Sequence, residues 1–209
     1  MTDISLIAPP DSFAAIIFDC DGTLVDTMPT HYDAWLTALR SFGADMNETE
    51  FYGWAGVPTD GIIAALNERY GYTLDIRETH AVKEARYKEL VHSVQEIEAV
   101  TDIVRRYHGK VPMSVASGGT RDIVDATLTA TGLLSYFDFI VAANDVVHGK
   151  PAPDMFLLAA EKMGVDPAEC VVYEDGEPGI VGAKAAGMHV IDVRVLWGGL
   201  HSPSMVAGR

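Results

Sequence analysis

Five short apolar runs of strand type punctuate this chain, at Ala14 to Phe18, Val111 to Ala116, Phe137 to Ala142, Val171 to Tyr173 and His189 to Val193. The first of them, Ala-Ala-Ile-Ile-Phe, suits a strand buried on both faces of a parallel sheet. Between the later runs the apolar spacing turns helical. Ile123, Leu128, Leu133 and Leu134 fit a helix from about Thr120 to Gly132, and Met155, Phe156, Leu158, Ala159 and Met163 fit another between Pro153 and Gly164. Strand and helix in alternation make parallel βαβ units, so the expected fold is α/β, a doubly wound parallel sheet with a Rossmann-like core.

Residues from about Met28 to Val100 break that rhythm. They carry helical patterns at Tyr32 to Phe42, Thr59 to Tyr70 and Thr79 to Val94 without a convincing strand. Some seventy residues is far more than a βα loop needs. The expectation is therefore a helical cap domain, residues 28–100, inserted into a catalytic core made of residues 1–27 and 101–209. Its two connections fall near Asp26 to Pro29 and Glu96 to Thr101.

With 15 Lys and Arg against 30 Asp and Glu, the net charge of −15 disfavours nucleic acid and anionic membranes as partners and leaves small molecules. No apolar run is long enough to cross a bilayer, and Met1 to Ser12 lack the pattern of a secretory signal, so a cytoplasmic protein is expected. Cys20 and Cys170 form neither a disulfide framework nor a metal-ligand spacing and read as packed thiols. A monomer or weak dimer is expected.

The chemistry concentrates where the strands end, which is where open α/β sheets bind ligands. Ile16-Ile17-Phe18-Asp19-Cys20-Asp21-Gly22-Thr23 drives two carboxylates out of a buried run into a turn. That points to a nucleophile, an acid/base or a metal site, although a simple Asx-turn would also use one of the two. Ser117, Gly118 and Gly119 follow the second run and open a helix, which is a ready anion site or an ordinary helix cap. Lys150, stiffened by Pro151 and Pro153, could neutralise both a phosphate and Asp19. Glu174 and Asp175 end the fourth run, so four carboxylates are expected to converge. Crowded like charges need protons or a cation, and oxygen-only ligands select Mg²⁺.

In the order Asp19/Asp21, Ser117, Lys150 and Glu174/Asp175, the chain resembles the haloacid dehalogenase-like phosphotransferase superfamily over nearly its whole length. The inserted helices resemble its β-phosphoglucomutase and phosphoglycolate phosphatase branch. The resemblance implies that Asp19 is the nucleophile forming an aspartyl-phosphate and that Asp21 is the general acid/base. It implies phosphate oxygens on Ser117, Gly118 and Lys150, and Mg²⁺ held by Asp19, the Asp21 carbonyl and Asp175 with Glu174 in support. Gly176 stands where the superfamily usually has serine. Asp21 favours phosphoryl transfer over dehalogenation, since a departing halide needs no acid.

The cap is expected to choose the substrate, with His31, Trp35, the Gly53 to Pro58 loop and Lys83 or Arg86 as candidate contacts. Mutases of this branch hold a distal phosphate with an Arg after a Gly-Val loop. Here Gly56-Val57-Pro58-Thr59-Asp60 offers an acid instead, expected to repel a second phosphate. Segments at Tyr107 to Met113, Lys150 to Leu158 and Ala185 to Leu196 are similar to bacterial phosphatases of fructose-1-phosphate and 6-phosphogluconate. A phosphatase of small phosphorylated sugars or sugar acids is thus expected, with a sugar phosphomutase and a non-catalytic phosphate-binding protein as the alternatives.

Overall fold

A computed structural model describes residues 4–54 and 56–198. Five parallel strands form the central sheet: β1 (Ala15–Phe18), β4 (Met113–Ala116), β5 (Phe139–Val141), β6 (Cys170–Glu174) and β7 (His189–Asp192), in the order β5-β4-β1-β6-β7. The strands alternate faces with period two. Ile16 and Phe18 enter one apolar cluster with Val115, Val171 and Tyr173, whereas Ala15 and Ile17 enter another with Ala116, Cys170 and Val172. Helices α5 (Glu98–Tyr107) and α6 (Arg121–Ala130) cover the first face through Val100, Ile103, Val124 and Leu128. Helices α7 (Asp154–Met163) and α8 (Glu177–Ala185) cover the second through Met155, Phe156, Ala159 and Ala183. A sheet covered on both faces explains why its central strands carry no polar face, and it is the doubly wound arrangement expected.

Between β1 and α5 the chain builds α1 (Met28–Ser41), a short α2 (Glu48–Gly53), α3 (Thr59–Tyr70) and α4 (Ile76–Leu90). These helices have their own apolar cluster, centred on Trp35, Leu39, Phe51, Ile63 and Leu66. The chain leaves and re-enters through a small antiparallel pair, β2 (Val25–Asp26) against β3 (Gln95–Glu96). Two-residue strands are too short to leave a hydrophobic period, which is why this segment reads as strandless in sequence. Tyr87 on α4 is fully buried against Ala34 and Ile123, and its hydroxyl lies 2.8 Å from that of Thr127 on α6, joining the inserted helices to the sheet layer.

Both cysteines are free and buried, as packed thiols should be. Among the described residues no helix is long and apolar enough to cross a membrane. Ala55 in the Gly53 to Pro58 loop, and the residues from 199 onward, lie outside the described residues.

Candidate active site

The ends of β1 and β6 lie side by side, because Phe18 pairs with Tyr173 and the Asp19 amide continues the ladder to the Tyr173 carbonyl at 3.0 Å. That register places Asp19 beside Glu174 and Asp175, all three buried. Lys150, carried on the loop before α7, reaches between them. Its Nζ donates to Asp19 Oδ1 and to Glu174 Oε2, each at 2.6 Å. The other Glu174 oxygen accepts from the amides of Asp175 and Gly176 at 3.1 and 2.8 Å. Thr23, in the turn after β1, donates its hydroxyl to Asp175 Oδ1 at 2.9 Å.

One ammonium bonds two of these three carboxylates, and the deficit of positive charge shows in the proton affinities of Asp19 and Asp175. Burial, reinforced by Glu174, raises Asp19 to about 7 although Lys150 pulls it down. Burial and the charges of Asp19 and Glu174 hold Asp175 well above the usual carboxylate range. Carboxylate oxygens of Asp19, Glu174 and Asp175 approach within 4.8 Å of one another and could hold a metal ion. The donor set is all hard oxygen, and its uncompensated negative charge suits a divalent cation. Since Lys150 and two amides already use both Glu174 oxygens, Asp19 and Asp175 keep the freer lone pairs.

Asp21 departs from the expected convergence of four carboxylates. Its side chain turns away from the cluster toward α1, where Oδ1 accepts from the Thr27 hydroxyl at 2.8 Å and lies 3.2 Å from His31 Nε2. Burial opposes its ionisation, but His31 and these hydrogen bonds outweigh burial and lower Asp21 to about 2. His31 stacks on Tyr87 with ring centres 4.1 Å apart, and burial followed by Lys83 lowers its basicity. A neutral ring with its proton on Nε2 donates to Asp21, which leaves the buried Nδ1 as an acceptor with no partner among the described residues.

Ser117 is fully buried at the end of β4, and its hydroxyl oxygen accepts from the Gly119 amide at 3.1 Å. Gly118 and Gly119 line one cleft together with Asp19, Asp21, Lys150 and Asp175. Its opposite wall, from the inserted helices, comprises His31, Trp35, Phe51, Trp54, Val57, Ile62 and Lys83. Lys83 is buried, lies over the Tyr87 ring at 5.8 Å, and is made less basic by that burial although Asp21 and Glu84 oppose it.

Of the alternatives Lys83 and Arg86, the cleft takes Lys83, and the expected role of Asp60 in repelling a second phosphate is not met. Arg86, three residues beyond Lys83 on α4, pairs instead with Asp33 and Glu89, at 3.3 and 3.0 Å, and does not line the cleft. Asp60 does not line the cleft either. Its carboxylate is taken by His80 Nδ1 at 2.6 Å, so it is not placed to repel a second phosphate in the cleft. Thr23, present in the motif turn, and Thr27 and Tyr87 have partners at the site that residue order does not assign them. A hydroxyl two residues after Asp21 and another six after it are the only local signals for the two threonines, and Tyr87 leaves none beyond its place on an apolar helix face.

A model of haloacid dehalogenase-like hydrolases matches residues 13–187. The chain belongs to the haloacid dehalogenase-like hydrolase family. Fructose-1-phosphate phosphatase YqaB of Escherichia coli (strain K12) is 43% identical to it over 187 residues, spanning 89% of this chain and 99% of that protein. CbbY from Rhodobacter sphaeroides, solved in complex with phosphate, matches with a TM-score of 0.79 at 25% identity, over 85% of this chain and 84% of its own. A putative β-phosphoglucomutase from Thermotoga maritima matches at 0.67 and 27% identity, over 85% and 83%. Family membership agrees with the resemblance carried by the strand-end motifs.

Proposed function

We propose that this protein is a phosphatase of small sugar phosphates, of the fructose-1-phosphate or 6-phosphogluconate kind, in which Asp19 is the nucleophile and Asp21 the general acid/base. The observation that carries the reading is the Lys150 ammonium held 2.6 Å from Asp19 at the mouth of β1, in a cleft floored by Gly118 and Gly119. Asp19 attacks phosphorus as the bond to the sugar oxygen breaks, and the departing oxygen takes a proton from Asp21. Asp21 then takes a proton from the water that opens the aspartyl-phosphate, releasing phosphate and restoring Asp19. With Asp21 at about 2 in the free protein, the side chain rests in its base form and must first gain the proton that it donates.

Ser117 spends its oxygen on the Gly119 amide, which leaves the hydroxyl proton for a phosphate oxygen. The start of α6 just beyond adds its amide dipoles. Mg²⁺ would be held by Asp19, Asp175 and the Asp21 carbonyl with Glu174 in support, and when bound it neutralises phosphate charge. His31, Trp35 and Lys83 would meet the sugar. The name of the Escherichia coli relative supports the substrate class, and the phosphate held by CbbY supports the group transferred.

A phosphomutase is the competing reading, and Lys83 in the cleft wall keeps a cation available for a second phosphate. A phosphate-release screen over hexose, pentose and aldonic acid phosphates with Mg²⁺, including β-glucose 1-phosphate, separates the two. The expected result is release of phosphate by the wild type and none by Asp19→Asn. Absence of wild-type turnover would overturn the enzyme reading, and glucose 6-phosphate as the main product would replace phosphatase by mutase.

A further inference from the structure

Thr120 is the N-cap residue of α6, a position where a threonine oxygen ordinarily accepts from a helix amide. Here no such bond forms. The hydroxyl lies 2.8 Å from Glu84 Oε1 on α4 and 2.9 Å from Asp122 Oδ1. Glu84 Oε1 in turn lies 3.0 Å from His80 Nε2, and His80 Nδ1 lies 2.6 Å from Asp60 Oδ1 on α3. Lys88, one turn further along α4, pairs with Asp122. A continuous polar chain therefore runs from α3 through α4 to the start of α6, tying the inserted helices to the sheet layer. Three of its members are sequence neighbours of cleft residues: Asp60 of Thr59, Glu84 of Lys83, and Thr120 of Gly119.

The imidazole at the centre decides the state of this chain. Carboxylates only accept hydrogen bonds, and His80 presents both ring nitrogens to carboxylates. The imidazolium satisfies both, whereas the neutral ring turns a lone pair on one of them. From α3 the group facing His80 is Asp60, and from the next turn of α4 it is Glu84. Lys83 adds positive charge beside Glu84, α6 contributes Asp122 with its Lys88 partner, and the Asp33 carboxylate of α1 is engaged by Arg86.

We propose that His80, acting through Glu84 and Thr120, is a positioning residue: its protonated form latches α3 and α4 over the Ser117 to Thr120 loop, and its deprotonation slackens the cleft. The regulation of substrate affinity rests on the phosphatase reading, while the latch itself does not. Hydrogen bonding to Glu84, against a smaller opposing effect of burial, raises His80 above the ordinary imidazole value. A raised folded-state value means that the latch is complete below about 6.5 and is lost as pH rises through the His80 transition.

Two measurements test this on the full chain. Hydrogen exchange of residues 118–124 and of α4, corrected for intrinsic pH dependence and made without substrate, should rise through the transition more steeply in the wild type than in His80→Gln, and Thr120→Val should lose the excess over residues 118–124. Steady-state kinetics should then show a KM rise over the same interval that is about fivefold larger in the wild type than in His80→Gln, with little difference between the two in kcat. Exchange that is the same function of pH in the wild type and in soluble, folded His80→Gln would overturn the latch. The expected exchange pattern with no turnover of any phosphomonoester would uphold the latch and overturn the phosphatase reading instead. A KM profile in His80→Gln that matches the wild type would overturn the coupling to affinity.

Discussion

Lys150 serves two buried carboxylates at once, and all three side chains are at least nine-tenths buried. An ion pair of this kind is worth little against an apolar substitute of the whole group, but removing one partner strands the other charges out of water. Lys150→Met should accordingly destabilise the protein by about 3 kcal/mol at neutral pH, with the loss shrinking as acid protonates Asp19. Urea unfolding of the variant and wild type at two pH values checks this; an equal loss at both would mean that packing against Phe156 and not charge is responsible. Asp21 carries a different lesson at the same scale. Two acids with a single residue between them sit in opposite surroundings, one raised by burial among carboxylates and the other lowered by His31 and Thr27, so in the free protein the proposed nucleophile holds a proton more readily than the proposed acid, and the charges brought by substrate and cation must reverse that order before reaction.

At the scale of elements, two glycines let backbone and carboxylate share space. Gly22 turns the chain after β1 at a φ of 87°, and a Cβ there would lie 2.5 Å from Asp175 Oδ2. Gly179 in the first turns of α8 is tighter, with its missing Cβ only 2.0 Å from Glu174 Oε2. Gly179→Ala should push Glu174 aside and unhook it from Lys150 and from the Asp175 and Gly176 amides. The expected cost is on the order of a hundredfold in kcat with the helical circular dichroism unchanged, since a displacement near 1 Å suffices for that. Gly53→Ala, where an added Cβ meets nothing within 4 Å, is the control. Activity equal in the two variants would show that Glu174 is not held by this contact.

Across the whole molecule, the excess of acid at the sheet's carboxyl end couples metal, proton and stability. Asp19, raised to about 7, binds a proton in the folded state more tightly than in the unfolded chain, so its contribution is present at low pH and lost as pH rises through about 7. A divalent cation competes with that proton. Mg²⁺ should therefore raise the melting temperature more at about pH 8 than at about pH 6, with a gain of about 2.7 kcal/mol at a hundredfold excess over Kd. Asp175→Asn should abolish the shift. Differential scanning fluorimetry with and without the cation reads both, and a shift independent of pH would place the ion elsewhere.

The parallel sheet, the run of motif residues at its strand ends and the family itself were legible in the order of residues, because each depends on local periodicity or on residues close in sequence. Apolar runs with helical spacing between them leave few folds open, and Asp19, Ser117 and Asp175 stand where those strands stop, with Lys150 in the loop beyond one of them. What the chain order does not carry is the direction in which a side chain points once helices from distant positions are packed over the sheet. Asp60 and Arg86 looked like cleft residues by position and were claimed by His80 and Asp33. Thr23, Thr27 and Tyr87 acquired roles only through partners brought to them by the fold, Asp175 lying 152 positions from Thr23. Residue order by itself determined the catalytic end of the sheet, since strand termini follow from local pattern; tertiary packing alone decided which charges meet there, since their partners lie on separate elements.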